Sequence, residues 1–316
     1  MKFLLSTVLL AVSFSTTAQT YPAKPLRWIV PTGPGSAVDV NARRVTPKLA
    51  EALGQPVIVE NRPGANSMIG AREVARSAPD GYTLFQAVVN NAINDALAPD
   101  ACCVLNDKLV AVTRLYTTPL VMVVHPGVQA ATLQEYVALA KSRPNTLTYA
   151  SGGTGAITQM VGELLKLTAG IQVREIPYKA IGAELPDLTG GHVATAFLSP
   201  VVIREHVRAG KLRALGIADR QRLPTMPEVP TLAEAGVPIE GLGWNGIFVA
   251  AGTPQAIIDR LQLEITKVLR SKEVQDDAAA LGTIAGGERP QEFAAFVRGE
   301  VQKWGKVIKD AGIKAE

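Results

Sequence analysis

Along most of this chain, short apolar runs alternate with stretches whose apolar positions recur every three or four residues. Residues 26–30 are apolar apart from Arg27 and end at Pro31, the pattern of a strand buried on both faces. Beyond them Val38, Ala42, Val45, Leu49 and Leu53 recur at helical spacing until Gly54, predicting a helix kinked at Pro47. Residues 56–59 predict a second strand, Asn61-Arg62-Pro63-Gly64 a turn, 68–76 a helix and 83–87 a third strand. The order β-α-β-α-β with continuous apolar strands predicts a parallel sheet covered on both faces.

The pattern restarts near residue 130. A helix is expected over 133–141, a strand over 147–150, a Gly152-Gly153-Thr154-Gly155 loop, and a helix over 157–169. Strands follow at 173–176, 193–198 and 211–216. The apolar run 120–124 and the segment 246–250, which follows a Pro-rich stretch at 224–238, are the candidate crossings between two domains. The remainder reads as helices over 257–269, 274–281 and 293–309. The fold class expected is α/β, with one lobe made of 19–123 and 244–316, the other of 124–243, and a hinged cleft between them. The crossings are expected near Val124 and Trp244.

Residues 1–18 read as an export signal rather than as part of the fold. Lys2 precedes an apolar stretch interrupted by Ser6, Thr7 and Ser13, and Thr16-Thr17-Ala18 offers a cleavage site before Gln19. The stretch is shorter than the ~20 residues that span a bilayer. The mature chain is therefore expected outside the cytoplasm. Composition adds little: 47% hydrophobic and 19% charged residues over 316 positions describe a globular protein long enough for two cores. The formal net charge is +4 and the basic residues are scattered, which argues against a nucleic-acid partner. Cys102 and Cys103 are adjacent, a spacing suited to free thiols or a strained vicinal bridge and not to a disulfide framework. No metal-ligand spacing occurs.

Chemistry concentrates in two glycine-rich loops, 31–39 and 151–159, each placed after a strand and before a helix. A helix start presents unpaired N–H groups and the positive end of the dipole. Glycine lets an anion approach, and Ser36, Ser151 and Thr154 add hydroxyls. Two such loops facing each other would clamp a carboxylate without a lysine. A dinucleotide site is the weaker reading of Gly33-Pro34-Gly35 with Glu60, because Val38 stands at the third glycine. A serine hydrolase built on Ser151 is the alternative function. Tyr149 occupies the first glycine of the nucleophile-elbow pattern, and His125, His192 and His206 read as surface residues. Asp276 and Asp277 are neighbours on a helix and read as a solvated face.

The segment from Tyr21 to Pro31 (YPAKPLRWIVP) resembles the mature start of the Bug receptors, the extracytoplasmic solute-binding proteins of tripartite tricarboxylate transporters. The resemblance continues through Gly54-Gln55-Pro56-Val57-Ile58-Val59-Glu60-Asn61-Arg62-Pro63-Gly64-Ala65 and Ala78-Pro79-Asp80-Gly81-Tyr82-Thr83-Leu84. Downstream it takes in Thr118-Pro119-Leu120-Val121, Leu147-Thr148-Tyr149-Ala150-Ser151, Pro177-Tyr178-Lys179, Pro227-Glu228-Val229-Pro230 and Ala251-Gly252-Thr253-Pro254.

That resemblance implies a two-lobed periplasmic binding protein, a type II-like Venus flytrap with each lobe a sheet flanked by helices. It would close on a small carboxylate and present it to membrane permease subunits, as a monomer without cofactor, metal or catalysis. Carried over, the ligand contacts are Gly35, Ser36, Ala37 and Asp39 in one lobe and Ser151, Gly153 and Thr154 in the other. Asn90 and Asn91 match the edge of the pocket, and Tyr178, Ile181, Phe197, Leu198 and Ser199 its far side. Relatives usually carry a more glycine-rich first loop, and many have an acid at the position of Leu198. Val38, Ile181 and Leu198 are therefore expected to make the pocket more apolar, suiting an organic acid with an apolar or aromatic body over an amino acid.

Overall fold

In the computed structural model, which describes residues 21–98, 104–178 and 183–315, Leu26–Val30 (β1) lies between Val57–Asn61 (β2) and Thr83–Val88 (β3), parallel to both. The helices Ala37–Leu53 (α1) and Met68–Ala75 (α2) make the crossovers. Successive strand residues point to opposite faces, and the cores follow that rule. Trp28, Val30 and Leu84 pack with Val45 and Leu49 of α1, whereas Ile29 and Phe85 pack with Ala71 and Val74 of α2. Ser36 caps α1 by accepting from the Asp39 N–H at 3.2 Å, and Gly54 ends it in the left-handed conformation at φ 66°. The helix runs without a break through Pro47.

The β-α-β pattern predicts a parallel sheet, but only part of the sheet is parallel. Leu109–Pro119 (β4), Leu242–Ala250 (β10) and Ile284–Ala285 (β11) complete it in the order β11-β4-β10-β3-β1-β2, with β10 antiparallel to β3 and β4. Neither β4 nor the helix Val89–Leu97 (α3) that follows β3 is marked by periodicity. β4 is buried along both faces yet carries Thr113, Arg114, Thr117 and Thr118, and α3 contains three asparagines, so tertiary packing overrides weak local propensity in both.

The second sheet is five-stranded, in the order β7-β6-β8-β5-β9. It comprises Val121–Val124 (β5), Thr148–Ser151 (β6), Arg174–Pro177 (β7), Thr195–Leu198 (β8) and Arg213–Ile217 (β9). β6 is parallel to β7 and β8, and β5 is antiparallel to β8 and β9. Its helices are Leu133–Ser142 (α5), Ile157–Ala169 (α6), Leu185–Thr189 (α7) and Pro200–Arg208 (α8), and Val104–Asp107 (α4) precedes β4 in the first lobe. Gln255–Leu269 (α9), Lys272–Ala280 (α10) and Pro290–Ala311 (α11) return to the six-stranded sheet.

The chain steps between sheets at Leu120 and again at Gly241. The Leu120 N–H donates to the Gly241 carbonyl at 3.0 Å, Gly241 N–H to Ala218 at 2.9 Å, and Ala218 N–H to Leu120 at 2.8 Å. A Cβ on Gly241 would stand 2.4 Å from Val161 Cγ2, so the step admits only glycine unless the Val161 side chain shifts. β5 pairs in the second sheet although a boundary at residue 123 would leave most of it with the first; an all-apolar run does not say which sheet it joins. The two sheets also share a core, since α6 packs against α3 and α11 of the first lobe.

Among the described residues no helix is long and apolar enough to cross a membrane. The expected signal segment 1–18, Cys102, Cys103 and Ile181 lie outside the described residues.

Candidate functional site between two strand-to-helix loops

In a sheet with parallel strands, the loops that leave their carboxyl ends gather along one edge. Here the loops after β1, β2 and β3 leave the same end of the six-stranded sheet, and the segments after β2 and β3 come up against the loop after β6. The two sides touch where Asn66 Nδ2 reaches the Gly155 carbonyl at 3.4 Å and Asn94 Oδ1 at 3.0 Å. Asn94 Nδ2 donates in return to the Asn66 carbonyl at 2.9 Å, and Asn90 Nδ2 to Asn66 Oδ1 at 2.9 Å. Ala65, Asn66 and Ser67 are all left-handed, at φ 46°, 48° and 74°. Three successive non-glycine residues in that region are strained, and the carboxamide bonds hold them there.

The first loop is built on Asp39. Its carboxylate, 2% exposed, accepts from the Gly35 N–H at 2.9 Å, from Asn61 Nδ2 at 2.9 Å and from Arg43 Nε at 3.0 Å. The Arg43 bond, with help from Gly35 and Asn61, holds the Asp39 carboxyl down to about 2. Asn61 also bonds the Thr32 carbonyl, and Ser36 Oγ pairs with Thr32 Oγ1 at 2.6 Å. Gly35 turns the chain at φ 79°. Asp39 thus organises the loop and has no oxygen turned toward the gap, while Ala37 and Val38 open the helix with N–H groups that intrahelical geometry leaves unpaired.

The second loop has a parallel construction. Ser151, 1% exposed, donates through Oγ to Glu175 Oε1 and accepts from the Gly153 N–H at 3.1 Å. Gly152 N–H bonds Thr158 Oγ1 at 2.8 Å, Gly155 N–H bonds Gln159 Oε1 at 3.0 Å, and Gln159 Nε2 reaches Glu175 Oε2 at 3.2 Å. Gly153 and Gly155 are left-handed at φ 86° and 76°. Below the loop Tyr149 lies against Gly162, where a Cβ would come within 2.3 Å of the ring, and its hydroxyl bonds Glu163 at 2.6 Å. Burial, with that carboxylate beside it, drives the Tyr149 hydroxyl well above its ordinary value.

Gly35, Ser36, Ala37, Asp39, Ser151, Gly153 and Thr154 therefore fall on the two loops. Asn90 and Asn91 open α3, but Asn91 is 1% exposed and spends its carboxamide on the Val88 N–H and the Ser67 carbonyl. Tyr178 follows β7 and bonds Asp187 Oδ2 at 2.8 Å; burial first, and that carboxylate second, push its hydroxyl up to about 12. Ser199 begins α8. Phe197 and Leu198 are each 1% exposed and sit in two different apolar cores. Val38 packs likewise against the core under α1. Of the residues expected to line an apolar pocket, Leu198 is thus turned into its lobe and Val38 is partly buried beside the first; a four-residue strand buried on both faces hides which side is the gap.

The competing chemistries find no support in this geometry. Ser151 bonds a carboxylate, and no histidine joins it among the described residues. Glu60, the acid of the dinucleotide reading, is bound by Arg27 and Arg62, with Glu73 completing a ring of four charges; the Arg27 bond keeps the Glu60 carboxyl below its usual range. No cluster of three or more His, Cys, Asp or Glu suited to a metal occurs among the described residues. Asn66, Asn94 and Glu175 escape sequence reasoning, since each matters through partners far away in the chain.

Residues 41–313 match the model of the tripartite tricarboxylate transporter family receptors. The chain is 36% identical to the protein BugT of Bordetella pertussis over 306 residues, covering 96% of this chain and 94% of that one. Among solved structures it is similar to an R. palustris protein with adipate, at 28% identity and a TM-score of 0.80, covering 93% of this chain and 99% of the other. It is also similar to MatC from Rhodopseudomonas palustris with bound malate, at 28% identity and a TM-score of 0.77, covering 91% and 100%.

Proposed function

The chain belongs to the tripartite tricarboxylate transporter family of receptors, and on that premise we propose that it captures a small carboxylate between the loops after β1 and β6 and hands it to the permease subunits of such a transporter. The observation that carries this reading is the state of Asp39. The one acid in the first loop has its oxygens filled by Gly35, Asn61 and Arg43, so the open N–H groups of the first turn of α1 face no competing anion from their own loop. Opposite them α6 starts without a side-chain cap, so the N–H groups of its own first turn are left open by intrahelical geometry. Backbone amides at two helix starts recognise charge and shape with no need for a cation.

The relatives with adipate and with malate hold dicarboxylates of different length, which suits clamping of carboxylate groups rather than reading of a ligand's middle. We assign lobe one to residues up to Leu120 and from Leu242 onward, lobe two to the chain between, and the hinge to the bonded Leu120–Ala218–Gly241 step. The mature protein is a monomeric, non-catalytic receptor of the periplasm, cleaved after Ala18.

The deciding experiment is calorimetry with succinate, malate, adipate, citrate and benzoate, with a thermal melt on each mixture, since a ligand that binds only the folded state raises the midpoint. Saturable binding of at least one acid is expected. Turnover of a chromogenic ester that disappears in Ser151→Ala would overturn the receptor reading in favour of a hydrolase.

A further inference from the structure

Beneath the first loop runs a chain of buried polar groups that the loop geometry alone does not use. Trp28 Nε1 donates to Gln86 Oε1 at 2.7 Å. Gln86 is fully buried, and its Nε2 donates to the Val38 carbonyl at 3.2 Å and to Asn245 Oδ1 at 3.0 Å. The direction of this chain is forced. An indole N–H can only donate and a peptide carbonyl can only accept, so Trp28 and Val38 together allow Gln86 a single orientation. Gln86 then fixes Asn245, whose oxygen faces inward and whose Nδ2 faces away as a donor.

Asn245 is 7% exposed, and its Nδ2 has no partner among the described residues. Its place in the fold says where that donor looks. Asn245 pairs with Val88, the last residue of β3, at the carboxyl end from which the site loops depart. It shares the sheet face with Trp28 and Ile247, the face covered by α1. Val38, in the first turn of α1, lies two hydrogen bonds away through Gln86. The nitrogen is not sealed off from solvent, so a molecule that fills the gap displaces water from this donor and must accept from it in turn or leave it unmatched. We infer that Asn245 is a ligand-binding residue, giving its Nδ2–H to an acceptor oxygen of the bound molecule, and that the Trp28–Gln86 pair sets its polarity so that this wall of the site selects oxygen acceptors and rejects amines.

The inference rests on the carboxylate-receptor reading and adds a side-chain donor to a clamp otherwise made of backbone. It also explains selection without an acid: an ammonium group placed here would meet a donor.

The test uses the mature chain, its Asn245→Asp and Asn245→Leu variants, and the probes succinate, malate, adipate and benzoate. Aspartate keeps the oxygen that Gln86 requires and replaces the donor by negative charge; leucine removes the donor without adding charge. Both are expected to melt within a few degrees of the parent in the absence of probe. Losing one hydrogen bond to a charged acceptor should weaken the best-bound probe roughly ten- to a hundredfold in Asn245→Leu, and Asn245→Asp should lose at least as much. If the parent binds a probe and both variants bind it equally well, the assignment of Asn245 is wrong while the receptor reading stands. If no probe binds the parent, both fall together. Should Asn245→Leu not fold, Asn245→Asp alone decides, because it preserves the inward bond.

Discussion

The Gly35 N–H and the Asp39 carboxylate are joined at 2.9 Å across a single loop turn, which makes Asp39 a strut of that loop. Asp39→Ala should therefore cost stability as well as affinity. Removing the acceptor deletes the bonds from the Gly35 N–H, Asn61 Nδ2 and Arg43 Nε, a loss of about 2 kcal/mol by the worth of charged hydrogen bonds. Urea denaturation at neutral pH measures it. A variant as stable as the parent would show that the loop holds itself.

The same carboxylate gives a pH dependence of definite sign. Its folded value, about 2, lies below the ordinary aspartate value of 3.8, so its stabilisation is present in full above that ordinary value and is lost as pH falls through 4 toward 2. The stability gap between the parent and Asp39→Asn should be constant from pH 7 to 5 and should narrow below 4. Melting both proteins across that range checks the window.

Gly241 tests the step between the lobes. A methyl group there would press on Val161 at 2.4 Å, and overpacking of this kind costs typically ~1–3 kcal/mol. Gly241→Ala should melt lower than the parent. The paired change Gly241→Ala with Val161→Ala should recover part of the loss, which a simple backbone effect would not.

Asn66 bridges the two sides of the gap from a left-handed backbone. Asn66→Gly relieves the strain and deletes the bonds to Asn90, Asn94 and Gly155. The expected result is a ligand-free protein with a larger scattering radius and an affinity lowered by roughly tenfold, about one hydrogen bond's worth. An unchanged radius would mean that the shared α3–α6–α11 core alone sets the separation.

Both glycine-rich loops were legible in the sequence, because a glycine-rich turn between an apolar run and a helically spaced one is a local signal. So were β1, α1 and α6, whose apolar spacing is undiluted. Local pattern fails where partners are distant. β4 shows no alternation because both its faces are buried, and Val121–Val124 has no feature that says which sheet it joins. Asp39 falls on the expected loop, yet the direction of its carboxylate is set by Arg43 and Asn61. Gln86 and Asn245 are 159 residues apart, and nothing near either one announces the other.

The margins of the two sheets bear on how the receptor meets its transporter. β11 is two residues long, β7 carries Arg174 and Glu175 and ends at Pro177, β2 places Glu60 in the four-charge ring, and β9 is bridged from outside by Thr231. Short, charged or proline-ended borders refuse an added strand. Among the described residues a partner therefore finds no long open ladder to extend and meets instead side chains on helices and loops, so that recognition can change by surface substitution while the architecture beneath stays fixed.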